Sequence, residues 1–200
     1  MSASDASATV SVIETSKKKS ITVTTTNGGK MKDFKKGLPH FEVLGIPIEV
    51  DELATNNIQS LLDHKTKSIC AQFPNSVSPL LTEDTSSSIE GFGWPGFDIK
   101  RVCEIFPGCL HEFATKKGTT RADYICSATL IINNVSYLFT AKTVGNYCPP
   151  RPGVGMIDPQ FIPDGSDKAI SEMSPEERDE FHPRAKLCRQ ILAKLQELGY

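Results

Sequence analysis

Basic side chains form three clusters whose spacing suits contact with a polyanion. One lies near the N-terminus, one surrounds a predicted helix end at residue 117, and one starts the last predicted helix, where the helix dipole also favours phosphate. The opposing interpretation is a solvated charged face, because acidic residues lie at 176–180 beside the third cluster. We predict that these clusters bind nucleic acid through Lys17, Lys18, Lys19, Lys116, Lys117, Arg121, Arg184, Lys186 and Arg189.

Residue patterns typical of enzymes are weak in this sequence. Cys103, Cys109 and His111 are neighbours, and Cys148 could approach them, but the spacing fits no common zinc site. No Gly-x-Ser-x-Gly motif occurs, and Gly153-Val-Gly155 lacks the Lys-Ser/Thr pair of a phosphate-binding loop. The sequence therefore predicts no catalytic residue, no metal and no cofactor, and a protein that is not an enzyme.

Charge is divided unevenly along the chain. The first 38 residues carry seven lysines against three acidic residues, whereas the whole chain has a net charge of −2. Six cysteines occur without paired spacing, and the N-terminus lacks the apolar stretch of a secretory signal. We therefore expect reduced thiols, no transmembrane segment and a cytoplasmic location, or a place in a virion. Anionic membrane is a further possible contact of the basic segment.

The N-terminal half is predicted to contain little regular structure before residue 39. Residues 1–38 are rich in Ser, Thr and Lys, so they are predicted to form a disordered basic tail. Residues 41–50 resemble an edge strand interrupted by Gly45 and Pro47, and residues 52–73 have helical spacing of apolar side chains. Residues 74–90, rich in Ser, Thr and Pro, are predicted to form a loop.

The C-terminal half has the clearest local signals. Two β-rich runs, 124–132 and 135–144, flank Asn133-Asn134, which suits a tight hairpin turn. Ser174-Pro-Glu-Glu177 has the pattern of a capped helix start, and residues 184–198 form an amphipathic helix. We predict an α+β fold with a small antiparallel sheet and three to four helices. Residues 39–200 would form a single domain with a Pro/Gly-rich loop at 148–173.

A family resemblance follows from this order of elements. The pattern Leu110-x-Glu112-x-Ala114-x-Lys116-x-Gly118, the hairpin and the last helix together resemble the double-stranded RNA-binding domain over about residues 99–198. The resemblance implies a helix, a three-stranded antiparallel sheet and a second helix that grips phosphates. This chain departs from that pattern, because it offers only Arg184-Ala-Lys186 where the family has a longer basic signature.

The favoured function is a non-enzymatic, RNA-binding protein that uses the helix–hairpin–helix surface and the basic tail. The alternative is a structural assembly protein, such as a small viral matrix or coat-associated protein that oligomerises and contacts nucleocapsid. A metal-dependent enzyme is the third possibility. RNA or nucleocapsid, together with further copies of the chain, are the expected partners.

Overall fold

A seven-stranded mixed sheet organises the computed structural model, which describes residues 18–48, 53, 55, 57–72 and 79–200. The strands within those residues are β1 (Lys19–Thr24), β2 (Phe41–Ile46), β3 (Leu80–Ile89), β4 (Pro95–Gly96), β5 (Arg121–Ile132), β6 (Val135–Tyr147) and β7 (Phe161–Pro163). The α-helices are α1 (Gly28–Gly37), α2 (Ile58–Gln72), α3 (Ile99–Ile105), α4 (Leu110–Lys116), α5 (Pro175–Phe181) and α6 (Pro183–Glu197). Short 3-10 turns occupy Asp158–Gln160 and Ile170–Glu172.

The sheet has a parallel part and an antiparallel part that meet at β3. Its strand order is β2-β1-β3-β5-β6-β7, with β4 paired to the far end of β3. Strand β1 is parallel to both β2 and β3, whereas along β3, β5, β6 and β7 each strand is antiparallel to the next. β1 ends where Thr24 pairs with Thr82, and β4 pairs with β3 only at Ser87 and Ser88. The edge of β3 between Thr82 and Ser87 therefore lies open beside the carboxyl end of β1.

Helices cover the two faces of β3 unequally. Along a strand successive side chains point to opposite faces, so Glu83 and Thr85 share one face while Thr82 and Asp84 share the other. The first face lies under α1 and α6, because Glu83 contacts Lys30 and Arg184. The second lies under α2, because Thr82 and Asp84 contact Thr66 and Lys65.

The central hairpin confirms the local prediction from the sequence. β5 and β6 pair along their whole length, from Arg121 with Asn146 to Ile132 with Val135. Asn133 and Asn134 have φ angles of 49° and 65°, the left-handed values that a two-residue turn requires and that asparagine tolerates.

The C-terminal helices also begin as the sequence predicts. Ser174 accepts a hydrogen bond from Glu177 N, and the Glu177 side chain returns to Ser174 N, so α5 starts with a complete capping box. Pro183 occupies the first turn of α6, and His182 is its N-cap. Leu187, Ile191 and Leu195 of α6 are fully buried, and the helix packs against β5 and β6.

The predicted fold class is wrong in two respects. The sheet is neither small nor purely antiparallel, and six α-helices, rather than three to four, lie within the described ranges. Residues 19–37, assigned to a disordered tail, form β1 and α1, and Ile21, Val23 and Phe34 are completely buried. The physical reason is that two buried apolar residues in β1 and one in α1 are enough for a short strand paired on both sides and a helix packed against it, although they give little hydrophobic signal in the sequence.

Other predicted boundaries also differ from the structure. The stretch 80–89, predicted as a loop, is β3. Its Ser, Thr and acidic residues face helices and a cleft, so the sequence lacks the apolar alternation typical of a strand. The predicted strand at 41–50 is shorter, and the predicted ends at residues 49–50, 52 and 73 lie outside the described residues, as do residues 1–17. No helix among the described residues has the length and apolarity needed to cross a membrane.

Candidate active site

A cleft of about 1920 Å³ opens where β1 ends and β3 continues alone. The loop from Thr24 to Asn27, the first turns of α1 and the β3 residues 83–85 form its inner wall. Residues of α2 and α3, the segment 154–158 and Arg178 form the remaining walls. This position agrees with the general rule that ligands bind at the carboxyl ends of parallel strands in open α/β sheets.

The start of α1 presents backbone donors to this cleft. The Asn27 side chain caps the helix by accepting a hydrogen bond from Lys30 N at 3.1 Å. Gly28 and Gly29 follow the cap, and a Cβ atom added at Gly28 would meet no heavy atom within 4 Å. The helix start is therefore open to a ligand, and its unpaired N–H groups and dipole favour an anion.

Glu83 is a buried carboxylate held by two cations. Lys30 Nζ lies 2.7 Å from Oε2, and Arg184 Nη2 lies 3.3 Å from Oε1. Burial alone would raise the pKa of Glu83, but the charges of Arg184 and Lys30 outweigh it and lower the pKa to about 2. Arg184 also donates to Asp33 Oδ2 at 2.7 Å, so this cluster joins α1, β3 and α6.

Asp84 is the carboxylate on the opposite face of β3. Its Oδ2 atom lies 2.7 Å from Lys65 Nζ of α2, and its Oδ1 atom accepts a hydrogen bond from Thr85 N at 2.8 Å. The side chains of Asp84 and Lys65 each keep 17% of their surface exposed, against 2% for Glu83. Asp84 is therefore the more accessible of the two acids to a ligand and to water.

Asp158 forms a second polar centre in the cleft, joined to the first through Arg178, whose Nη2 atom lies 3.6 Å from Asp33 Oδ2. Its Oδ2 accepts from Arg178 Nη1 at 2.6 Å, and its Oδ1 accepts from the Tyr124 hydroxyl at 3.1 Å. His182 Nε2 lies 3.5 Å from the same Oδ1. Burial would raise the pKa of Asp158, but the hydrogen bond from His182 and the charge of Arg178 hold it below its usual range. Asp158 is therefore an anion at neutral pH.

Apolar side chains surround this second centre. Val154 and Met156 are exposed, at 87% and 39%, and Ile157, Ile170 and Met173 line the cleft beside them. An apolar surface next to a fixed hydrogen-bonding group is the usual composition of a site for a flat organic ring.

Positive charge predominates among the described residues that line the cleft. Eight lysines and arginines face five acidic residues. Lys32 and Lys100 form no ion pair with another described residue, whereas Lys30 and Lys65 are paired with Glu83 and Asp84. The cleft thus suits a ligand with several negative charges.

A protein-only metal centre is not formed by the described residues, since no group of three or more His, Cys, Asp or Glu side chains converges there. A magnesium ion carried by a polyphosphate needs only one or two protein carboxylates. Asp84 fits that requirement, because among the described residues its side chain has one ion pair, with Lys65.

Of the nine residues predicted to bind nucleic acid, the described structure places Arg184 in the cleft. It is 6% exposed and is held by Glu83 and Asp33, so it stabilises the protein rather than forming an open basic surface. Lys17 lies outside the described residues.

The other seven do not line the cleft. Each of them contacts a group of the protein itself: Lys18 contacts Pro39 O, Lys19 Gly199 O, Lys116 Glu112, Lys117 the Phe92 ring, Arg121 Asp164, Lys186 Thr143 and Arg189 Asp179 O. Nucleic-acid contact by these side chains stays a prediction.

Sequence reasoning missed the residues that build the cleft, chiefly Asn27, Lys30, Lys65, Glu83, Asp84, Asp158 and Arg178. A signal was present at Thr26-Asn27-Gly28-Gly29-Lys30, where a helix-capping residue and two glycines follow a β-prone run. Adjacent acids at 83–84 were a second signal, hidden by the prediction that this stretch is a loop.

The fold and the cleft together define an α/β protein with an anion-binding site at the carboxyl end of its parallel strands. The chain belongs to the Ham1 family, whose model matches residues 21–194. It is 27% identical over 188 residues to the inosine triphosphate pyrophosphatase of Encephalitozoon intestinalis, covering 88% of this chain and 92% of that protein. It is 24% identical over 183 residues to the dITP/XTP pyrophosphatase of Thermococcus kodakarensis, covering 86% and 95% of the two chains.

Solved structures share the same fold. A HAM1 protein from Coxiella burnetii superposes with a TM-score of 0.71 and 18% identity, covering 90% of this chain and 99% of that one. The Staphylococcus aureus Ham1 protein gives a TM-score of 0.67 at 18% identity with the same coverage.

These findings correct the functional predictions. The resemblance to the double-stranded RNA-binding domain is wrong, because a different family matches almost the whole chain and the hairpin belongs to a seven-stranded sheet. RNA binding as the function, and the alternative of a viral matrix or coat-associated protein, are overturned with it. The expectation of a non-enzymatic protein is overturned too, because the relatives are named as pyrophosphatases.

Proposed function

We propose that this protein is a nucleoside triphosphate pyrophosphatase that acts on purine nucleotides with a non-standard base, such as inosine or xanthosine triphosphate. The observation that carries the proposal is that one cleft has two chemically different sets of lining residues. One set is a helix start with lysines, which suits phosphates, and the other is a group of apolar side chains with a fixed carboxylate, which suits a base. The names of the relatives agree with this arrangement.

The triphosphate would bind at the start of α1. Phosphate oxygens would accept hydrogen bonds from the backbone N–H groups that follow Asn27, and Lys30 and Lys65 would neutralise their charge. Both lysines already lie at the cleft wall, each 2.7 Å from a carboxylate of β3. Lys32 also lines the cleft without an ion pair to another described residue, and it would add a further positive charge.

The reaction would be hydrolysis of the anhydride between the α- and β-phosphates. Water adds to phosphorus, the bridging P–O bond breaks, and the products are a nucleoside monophosphate, pyrophosphate and one released proton. Asp84 is our candidate for the group that orients the water and accepts its proton, because it is partly exposed and lies next to Lys65 in the cleft. A magnesium ion bound to the substrate would offset phosphate charge, with Asp84 as the carboxylate best placed to contact it.

Glu83 is unsuited to proton transfer. Its pKa of about 2 and its two cationic partners keep it ionised and fixed, so it would hold Lys30 and Arg184 in position. The base would lie beside Asp158, with its ring against Val154 and Met156 and an N–H group directed at that carboxylate.

The experiment is product analysis with purified protein. Inosine, xanthosine, adenosine and guanosine triphosphates are supplied separately with Mg²⁺, and phosphorus NMR identifies the products. We expect pyrophosphate and monophosphate in equal amounts, formed fastest from inosine and xanthosine triphosphates. Release of orthophosphate alone, or no hydrolysis of any of the four, would contradict the proposal.

A cytoplasmic site of action is the matching proposal for location. All six cysteines are free thiols, five of them buried, which suits a reducing compartment. Cell fractionation against a cytoplasmic marker tests this. Self-association and contact with an anionic membrane stay predictions.

A further inference from the structure

His182 has a fixed proton arrangement although it does not line the cleft. Its Nδ1 atom is 3.0 Å from the backbone nitrogen of Arg184, in the first turn of α6. A backbone N–H can only donate, so Nδ1 must accept and cannot carry a proton. The helix cap therefore sets the tautomer of this imidazole ring.

The other ring nitrogen then has to be the donor. His182 is 2% exposed, and burial lowers its pKa, against the opposing effect of Asp158, so the ring is neutral at pH 7. A neutral ring with an unprotonated Nδ1 carries its hydrogen on Nε2. That atom lies 3.3 Å from the Tyr124 hydroxyl oxygen and 3.5 Å from Asp158 Oδ1.

The direction of the next hydrogen bond follows. Burial raises the pKa of Tyr124 well above its ordinary value, so the phenol keeps its proton and donates it to Asp158 Oδ1 at 3.1 Å. Arg178 donates to the other oxygen, Oδ2, at 2.6 Å. This series of hydrogen bonds starts at a backbone N–H, which can only donate, and ends at a carboxylate, which can only accept. The position of each proton from the α6 amide to Asp158 is therefore fixed.

We propose that His182 is a positioning residue for base recognition, which acts through Tyr124 and Asp158 without touching the nucleotide. This rests on the proposed function. The series of hydrogen bonds from Arg184 N through His182 and Tyr124 to Asp158 is called the relay. It keeps Asp158 as a hydrogen-bond acceptor of fixed orientation in the cleft wall. Hypoxanthine and xanthine have an N–H group at ring position 1, which such an acceptor favours. Adenine has a lone pair there, which a carboxylate repels.

Two variants interrupt the relay at different points. His182→Asn keeps an N-cap acceptor for α6, since asparagine is among the best N-cap residues, but its side chain is too short to reach Tyr124. Tyr124→Phe removes the hydroxyl and leaves the cap unchanged. We expect both to lower the ratio of kcat/KM for inosine triphosphate over adenosine triphosphate by about tenfold, mostly through a higher KM for inosine triphosphate.

Thr143→Val is the matched control. Thr143 donates to Phe181 O from outside the cleft, at the same junction between α5 and α6. This variant is expected to reduce stability while leaving the substrate ratio unchanged. A similar fall in the ratio for Thr143→Val would show that loosening the junction is sufficient, and would overturn the relay.

Nitrogen-15 NMR of the histidine rings provides a readout independent of activity. At pH 7 the wild-type His182 ring should show the neutral form with hydrogen on Nε2. A charged ring, or hydrogen on Nδ1, would overturn the relay. Wild-type activity with an unchanged substrate ratio in both relay variants would overturn the relay alone. Wild-type protein that releases no pyrophosphate from inosine triphosphate would overturn the proposed function and this role together.

Discussion

Glu83 and Asp84 are neighbours on one strand, yet the two faces of β3 give them different environments. Glu83, under α1 and α6, is 2% exposed and held by Lys30 and Arg184. Asp84, under α2, is 17% exposed and has one ion pair, with Lys65. The alternation of side chains along a strand thus turns two similar acids into a structural anchor on one face and an accessible carboxylate on the other.

Replacing Asp84 tests the accessible face and should have the largest effect. Asp84→Asn keeps the shape but removes the charge that is proposed to orient and deprotonate water, so kcat should fall about 10²- to 10⁴-fold. Stability should change little, because the side chain is partly exposed. Steady-state kinetics measures the loss, and Asp63→Asn on an exposed part of α2 is the control. If kcat were retained, Asp84 would have no role in the chemical step.

Replacing Arg184 tests the anchored face. Arg184→Met leaves Glu83 and Asp33 without their shared buried partner, which should lower the free energy of unfolding by about 3–5 kcal/mol in urea titrations. Adding Glu83→Gln should recover part of the loss, since it removes the uncompensated charge. Arg189→Met, on the exposed side of α6, should change stability far less. Equal losses for the two arginine variants would remove the distinction between the two faces.

The pH dependence of stability also tests the anchored face of β3, through the pKa of Glu83. The pKa of Glu83 is lowered from 4.5 to about 2 in the folded protein, so its stabilisation is present above pH 4.5 and is lost as pH falls towards 2. This amounts to about 3 kcal/mol for a shift of that size. Between pH 5 and pH 2 wild-type protein should lose that much more stability than Glu83→Gln. Glu112→Gln, at an exposed position, should behave as wild type; parallel curves for wild type and Glu83→Gln would contradict the shift.

Lys32 should give the smallest effect. It lines the cleft on α1 without an ion pair to a described residue, so Lys32→Ala should raise the KM for a nucleoside triphosphate only about two- to fivefold, as expected for an exposed charge. The effect should fade at high salt. Lys35→Ala, on the same helix outside the cleft, should leave KM unchanged. Equal rises in KM for Lys32→Ala and Lys35→Ala would indicate that the positive charge of α1 acts through a general electrostatic field rather than through a direct contact of Lys32 with the nucleotide.

Local signals predicted the C-terminal half well because they depend on neighbouring residues. Asn133-Asn134 specifies a turn and Ser174 to Glu177 specify a helix start, wherever the rest of the chain lies. Pro183 likewise starts α6 through its own backbone geometry.

The site was not predictable in this way, because its pairs come from distant segments. Lys30 meets Glu83 and Lys65 meets Asp84 only after parallel pairing places β1 beside β3. No periodicity in 19–24 or 80–89 identifies that pairing, since both strands are short of apolar residues. The sequence shows an excess of lysine in residues 1–38. It does not show that Lys30 pairs with Glu83 of β3 or that Asp33 pairs with Arg184 of α6.

The ion pair between Asp33 and Arg184 joins residues 151 positions apart, and this separation bears on when the cleft is completed during synthesis. A nascent chain that has not reached α6 contains Lys30, Glu83 and Asp84, but Asp33 and Glu83 still lack Arg184. Contacts of such long range are slow to form, because the intervening loop must be closed first. The cleft wall that Arg184 shares with α1 and β3 is therefore completed late, after residues 183–197 have been synthesised and α6 has docked onto the sheet.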